Sequence, residues 1–300
     1  MSLKSLTSAK THFVLLKNKS IQVSGIQKSQ KWREQMRSMI SGSELSNIIT
    51  SSLDQIRTLI RSKTDPTYDI TENEFVKRCV EHGLKWEEPM MELFRDMTGI
   101  EMITGFGRVT QEVNPENNQP IETGASPDGV GITPSGTPFV IEMKCPYSAL
   151  YRGWQPQEPS VPFKYFIQCQ ANMYQLGIEK SILVVSYIPE DTIEEEKTII
   201  QEYYLIYKMS QVFWRTILDM VQSFLFYFKK ELSMEWDEDR INQILPSKVR
   251  EWRTKTISAQ RKWILDTFVQ KTEKTGRMEK IKPIFYARID PTQIVQRMDE

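Results

Sequence analysis

Gly124-Ala125-Ser126-Pro127-Asp128-Gly129, followed downstream by Ile141-Glu142-Met143-Lys144-Cys145-Pro146, reads as a tight turn feeding a core strand. Pro127-Asp128-Gly129 has turn chemistry: proline presets φ, aspartate bonds its local backbone and glycine tolerates unusual dihedrals. Along the strand, side chains alternate, so Val140, Glu142 and Lys144 share one face and Ile141 and Met143 the other. A carboxylate and an ammonium on one face of a core strand are costly unless partnered. A hairpin would bring Asp128 beside Glu142, gathering two carboxylates and one lysine around a point.

Working outward, residues 103–109, 121–130 and 138–143 are strand-like runs separated by Asn, Pro, Gly and Ser, which predicts a meander. Upstream, residues 31–60 read as two short helices separated by Ser41-Gly42-Ser43, a turn or helix amino terminus. Thr71 and Glu74 form a capping-box pattern opening a helix through Phe75, Val76, Cys79 and Val80. Pro89 is expected to kink or restart that helix, which then continues through Met90, Leu93 and Phe94 to Gly99. Downstream, residues 162–176 return to helical spacing, 181–187 and 199–207 are buried-strand runs, and 212–228 is an aromatic-rich amphipathic helix. After Glu235 the pattern weakens, with a helix over 258–270 and a polar tail. The order predicts an α+β fold, α/β/α-like, with a mixed central β-sheet flanked by helices. No internal repeat or low-complexity tract interrupts it.

The chain has 300 residues, 39% of them hydrophobic, and formal charges that cancel, with 39 basic and 39 acidic residues. That length supports one large domain or two modest ones with a sizeable core. No run of about eighteen apolar residues appears, which excludes a membrane-spanning helix. The basic stretch 1–19 lacks the apolar core of a secretory signal. Three cysteines and two histidines exclude a disulfide scaffold, a four-cysteine cluster and a three-histidine zinc site. They suit an intracellular, reducing compartment. Carboxylates with lysine or arginine must therefore carry any catalysis. Basic residues concentrate in 1–43 and again in 248–282, whereas acids gather at 190–196 and 235–239. Two basic ends would grip a polyanion, although a patchy solvated surface accounts for the charge equally well.

The carboxylate–lysine group suits phosphodiester hydrolysis. Asp128 and Glu142, with the backbone carbonyl of Met143, offer hard oxygen ligands for Mg²⁺, with Mn²⁺ as an alternative. Lys144 would orient or deprotonate the attacking water, or stabilise developing charge. The bare pattern is commoner in exposed turns and edge strands; its strand context and its Ser-Pro-Asp-Gly and Lys-Cys-Pro flanks favour the site.

With these flanks the segment resembles the PD-(D/E)XK nuclease superfamily, in particular the lambda-exonuclease-like (YqaJ-type) viral and phage recombination nucleases. Three further segments match in order. Trp32-Arg33-Glu34-Gln35-Met36-Arg37 with Ile40-Ser41-Gly42-Ser43 resembles the family's phosphate-binding amino-terminal motif. Gly83-Leu84-Lys85-Trp86-Glu87 is similar to its helical Gly-x-x-x-Glu, and Tyr165-Phe166-Ile167-Gln168-Cys169-Gln170 to its Tyr-x-x-Gln-x-Gln helix. The resemblance covers residues 29–207. It implies a restriction-endonuclease-like core, metal ligands at Asp128 and Glu142, catalytic Lys144, an auxiliary acid at Glu87, and positioning groups at Gln168 and Tyr165. It places the terminal phosphate on Arg37 and Ser43, with Tyr165 among the groups facing DNA phosphate. Gly42 departs from the family's usual alanine, and Pro89 lies close behind Glu87.

The domains expected are a basic extension (1–28), a nuclease core (29–232) and a mostly helical or irregular carboxy-terminal extension (233–300). The activity implied is a 5′-to-3′ exonuclease on double-stranded DNA ends that leaves 3′ single-stranded tails for recombination or viral DNA processing. Polarity and end preference follow from the resemblance alone. The alternatives are an endonuclease or alkaline nuclease of the same fold, or a DNA-end-binding recombination protein without cleavage. Implied partners are DNA ends and a single-strand annealing protein, in the cytoplasm, or in host cytoplasm or nucleus if viral; trimer and monomer both stay open. Ordinary roles stand beside these: Glu87 as a surface pair with Glu88, Gln168 and Gln170 as polar helix positions, and Arg37 paired with Glu34. Cys145 and Cys169 read as small buried hydrophobes. Trp154 reads as a loop anchor or a wedge at a terminal base pair. The stripe Phe213, Trp214, Phe224, Phe226, Tyr227 and Phe228 reads as core or subunit contact.

Overall fold

Alternating strands and amphipathic helices place two helical layers on the faces of one sheet. The computed structural model describes residues 21–24, 37–69, 71, 73–105, 108–111, 123–147, 161–188, 200–270 and 280–300. The Trp32–Arg33 motif, Glu34 and Trp154 lie outside the described residues.

In chain order, strands β1 (Ile21–Ser24) and β2 (Ile40–Ser41) precede helices α1 (Gly42–Thr50), α2 (Leu53–Thr64) and α3 (Glu74–Thr98). Strands β3 (Glu101–Thr104), β4 (Arg108–Gln111), β5 (Thr123–Ala125), β6 (Gly129–Ile132) and β7 (Pro138–Lys144) follow. Then come α4 (Phe163–Leu176), β8 (Lys180–Tyr187), β9 (Ile200–Tyr207) and α5 (Gln211–Tyr227). The carboxy-terminal part adds α6 (Lys229–Leu232), α7 (Glu238–Glu251), α8 (Ser258–Phe268), β10 (Val269–Gln270), β11 (Lys280–Ile281), β12 (Tyr286–Ile289) and α9 (Ile294–Asp299).

The central sheet has the order β12-β9-β8-β7-β6-β3. Its β7–β8 pair is parallel, joined through α4, and the other pairs are antiparallel. A smaller sheet, β1-β4-β5-β2, lies beside it. Side-chain alternation splits the apolar residues into two cores. Val140, Leu183, Val185, Tyr204 and Ile206 face α4, with α1, α2, α5 and α7 packed in the same cluster. Phe139, Ile141, Met143, Ile182, Val184, Tyr203 and Leu205 face Met90, Met91 and Phe94 of α3 and Ile294 and Met298 of α9. The α/β/α expectation thus holds, with the mixed sheet between helical layers. Gly131 lies opposite Phe139, whose buried ring occupies the space a side chain there would need: an added Cβ would lie 2.4 Å from Phe139 Cζ.

Several local expectations are corrected. Ser41-Gly42-Ser43 is a helix amino terminus, one of its two expected roles, with Ser41 the cap of α1; a further break follows at Ser51, which takes a left-handed φ of 51°. The cap of α3 is Asn73, whose Oδ1 accepts from the amides of Phe75 (3.0 Å) and Val76 (3.2 Å). Thr71 instead bonds Asp69. Pro89 does not restart α3, which runs unbroken to Thr98 with the proline on its exposed side. There the ring and the missing N–H face solvent rather than the sheet. The expected meander is also replaced. Residues 103–109 and 121–130 each divide between the two sheets, because Gly105 and the Ser126-Pro127-Asp128 turn redirect the chain.

The polar tail proves to be part of the sheet: β12 pairs with β9 as an edge strand. Helix α9 is then pinned at both ends of its last turn. Asp299 Oδ1 accepts from Thr133 Oγ1 (2.5 Å) and from Ser135 Oγ. Lys180 Nζ donates to the carbonyls of Arg297 (3.0 Å) and Met298 (2.9 Å). Of the aromatic stripe on α5, Phe213, Trp214 and Phe224 are buried core, as is Phe228 just beyond it, whereas Phe226 is exposed. Among the described residues no helix is long and apolar enough to cross a membrane.

Candidate active site

Strand β7 runs through the middle of the sheet and ends in Glu142, Met143 and Lys144. Its register with β6 pairs Gly129 with Ile141, so Asp128, one residue beyond the ladder, arrives opposite Glu142. There Asp128 Oδ2 accepts from the Met143 amide at 2.8 Å, taking over where the backbone ladder stops. Glu142 is fully buried. Its Oε1 accepts from Lys144 Nζ, and its Oε2 accepts from Asn172 Nδ2 of α4 at 2.8 Å. Lys144 Nζ also lies 3.9 Å from Asp128 Oδ2. Sequence reasoning expected these three residues to converge, and they do.

Two carboxylates enclosed with one ammonium carry a negative excess, and the titration behaviour follows from it. Burial, and next the charge of Asp128, push the Glu142 carboxyl up to about 8 against the opposing pull of Lys144. For Lys144 burial works against the charge, but the carboxylates of Glu142 and Asp128 outweigh it and hold the ammonium above the ordinary lysine range. Such a site gains from a bound cation. The donors present are carboxylate oxygens and a backbone carbonyl, which suit a hard divalent ion that retains several waters. Among the described residues no three His, Cys, Asp or Glu side chains gather into a metal group. Asp128, Glu142 and the Met143 carbonyl are the oxygen donors at hand there for one.

Lys144 opens onto a cleft of about 270 Å³ between Gly83 and Glu87 of α3 and Lys164 and Tyr165 at the start of α4. Glu87 borders this cleft without completing a three-carboxylate cluster. The cause is topological: α3 covers the Met143 face of the sheet, whereas Glu142 projects toward α4. The ring of Tyr165 backs the lysine, with Lys144 Nζ 5.5 Å from its centroid. Cys145 lines the cleft, its thiol pushed up to about 12, chiefly by burial, while Cys169 is a buried residue of α4.

Gln168 sits beside the start of α1, where a Cβ added to Gly42 would be 3.9 Å from Gln168 Cγ and 3.0 Å from Ala171 Cβ. The glycine thus lets α1 approach α4 closely. Gln170 is buried and structural: its Nε2 donates to the Tyr207 carbonyl, and its Oε1 accepts from the Met209 amide. Arg37 is exposed, donates to the Pro66 carbonyl at 3.2 Å and lines a different cleft with Lys63. Ser43 Oγ lies 3.0 Å from Ser41 Oγ at the amino terminus of α1. There Glu44 accepts from the Ser41 amide and pairs with Lys63 at 2.8 Å.

One residue escaped the sequence reading. Asn172 is 1% exposed and holds the second oxygen of Glu142. Its only sequence signal is its place four residues after Gln168, on the same helical face.

Residues 31–179 match the family model described as a YqaJ-like viral recombinase domain. No curated protein matches the chain. Among solved structures, an alkaline exonuclease from Laribacter hongkongensis is 16% identical and aligns over 73% of this chain and 99% of its own, with a TM-score of 0.49. The same exonuclease in complex with dAMP is 18% identical over 73% of this chain and all of its own, at 0.47. A phage-related exonuclease from Haemophilus somnus 129PT is 13% identical over 69% and 96%, at 0.41.

Proposed function

From a chain that carries a YqaJ-like viral recombinase domain over residues 31–179, we propose a divalent-metal-dependent nuclease that hydrolyses DNA phosphodiesters. Its finer activity is a 5′-to-3′ exonuclease on double-stranded ends, leaving 3′ tails for a single-strand annealing partner. What supports hydrolysis is one observation: Asp128, Glu142 and Lys144 meet at the rim of an open cleft although two of them are buried or nearly so. A binding module has no use for so costly a cluster.

Asp128, Glu142 and the Met143 carbonyl would hold Mg²⁺ or Mn²⁺, which would neutralise phosphate charge and activate water. The chain's own contribution centres on Lys144. Its ammonium pairs with both carboxylates and supplies a positive charge that orients the attacking water and stabilises the phosphate oxygens. Asn172 keeps Glu142 turned toward the cleft, and the Tyr165 ring limits the swing of Lys144. Glu87, across the cleft, adds negative charge that favours a cation.

The test uses linear duplexes labelled at either end, together with a closed circle, incubated with Mg²⁺. Stepwise shortening from the 5′ ends with the circle intact is expected; cutting of the circle would make the protein an endonuclease. Lys144→Ala should keep DNA binding and lose at least about a hundredfold in cleavage, and excess chelator should abolish cleavage. Hydrolysis that survives either treatment removes the proposed site.

A further inference from the structure

Beyond residue 179 the chain brings its own basic groups to the same side of the molecule. Arg253 stands in the π-helical turn Trp252–Thr256 that links α7 to α8. Single π turns are uncommon and re-aim the side chains they carry. This one is anchored by Trp252, which is fully buried and donates from Nε1 to Ser223 Oγ at 2.9 Å. Arg261 of α8 donates from Nε to the Thr50 carbonyl at 3.2 Å. With Lys164, these two arginines line a groove of about 420 Å³ whose other polar wall includes Asn47, Ser52 and Gln55. No Asp or Glu is among the described residues lining it. Lys164 also lines the Lys144 cleft, so the two concavities share a wall.

Three cations, amide and hydroxyl donors and no anion make a groove of positive potential. Guanidinium groups offer the planar donors that phosphate oxygens accept in pairs. A plain structural role, sealing the carboxy-terminal end of α1 through Thr50, accounts for Arg261. It does not account for Arg253, which makes no ion pair among the described residues. We infer that the groove holds the phosphodiester backbone of the nucleic-acid strand as it continues out of the Lys144 cleft. The inference rests on the nuclease reading and names where that substrate runs.

Full-length protein is tested for binding to a blunt duplex by fluorescence anisotropy, in chelator so that nothing is cut, across a series of KCl concentrations. Each lost phosphate contact lowers the slope of log affinity against log salt by about 0.9 on duplex, or about 0.7 on a single strand. Arg253→Ala should lower it by one such step, and Arg253→Ala with Arg261→Ala by two. Arg253→Lys, which keeps the charge in the same turn, should restore the single step. An unchanged slope in Arg253→Ala overturns the groove. So does a lysine variant with the alanine slope, which would assign the loss to packing. Because binding is read without metal, these outcomes stand whether or not the protein cleaves; a wild-type chain that cuts no labelled duplex in Mg²⁺ would sink the nuclease reading instead.

Discussion

Glu142 illustrates how much chemistry one buried carboxylate demands of its neighbours. With no solvent access, each of its oxygens needs a donor, and Lys144 and Asn172 supply one apiece. Removing the amide would leave Oε2 unsatisfied and free the carboxylate to turn toward Lys144. We expect Asn172→Ala to raise the divalent-ion concentration needed for half-maximal cleavage by about 10–100-fold, the usual cost of losing the partner behind a ligating group. A metal titration of the cleavage rate reads this as a shift in half-saturation, and an unshifted titration would remove Asn172 from the site. Glu142 and Lys144 were legible because strand alternation is a local property: two residues apart on β7 means one face in any fold. Asn172 was not. A polar residue within a helix resembles any solvent-facing position until α4 is seated on β7, and that contact spans the chain from Glu142 to Asn172. Glu87 reaches Glu142 through its charge from across the cleft, a placement that the sequence does not show either. Its helix is readable from sequence, but the face of the sheet it covers is not.

At the scale of elements, strong periodicity carried the reading and punctuation misled it. Helices α4 and α5 and strands β8 and β9 fall close to their expected bounds because each buries one continuous apolar set. The misplaced or missed features are a cap and a break: Asn73 caps α3 where Thr71 stands close by, and Ser51 parts α1 from α2. Strand β12, Tyr286-Ala287-Arg288-Ile289, is short and half exposed, so nothing in its own sequence announces a place in the sheet. Helix α9 behind it is held through Asp299, whose carboxyl lies below its ordinary range because Ser135, and then Thr133, donate hydrogen bonds to it. A native value below the unfolded one means the folded chain binds fewer protons as the pH falls. The stability this gives is present above about pH 3.9 and is lost as the pH falls through the native value. Thermal melts from pH 6 to pH 3 should therefore show a steeper acid loss in the wild type than in Asp299→Asn. Parallel acid limbs would mean that the hydroxyls do not hold α9 through charge.

For the whole molecule, the sheet is larger than the segment that matches the recombinase-domain model. That segment ends at residue 179, before β8 and β9, so by itself it would leave β7, which carries Glu142 and Lys144, as an edge strand. Even the expected core, 29–232, would omit β12, and β9 would then become the unpaired edge. The consequence centres on Glu202 of β9, which is 2% exposed. It accepts from Tyr204 Oη and lies 3.5 Å from Arg288 of β12. A chain cut after residue 232 loses Arg288, the edge strand and α9 together, and with them the packing of Ile289, Ile294 and Met298. An uncovered edge strand invites self-association. We therefore expect the 1–232 chain to melt well below the full-length protein, to aggregate on size-exclusion chromatography, and to lose any rise in melting temperature on adding Mg²⁺. A monomeric 1–232 chain with the full-length melting temperature would instead make everything after Leu232 an accessory to a self-sufficient core. The groove containing Arg253 and Arg261 would then be an attachment to the catalytic body, not part of the unit that folds it.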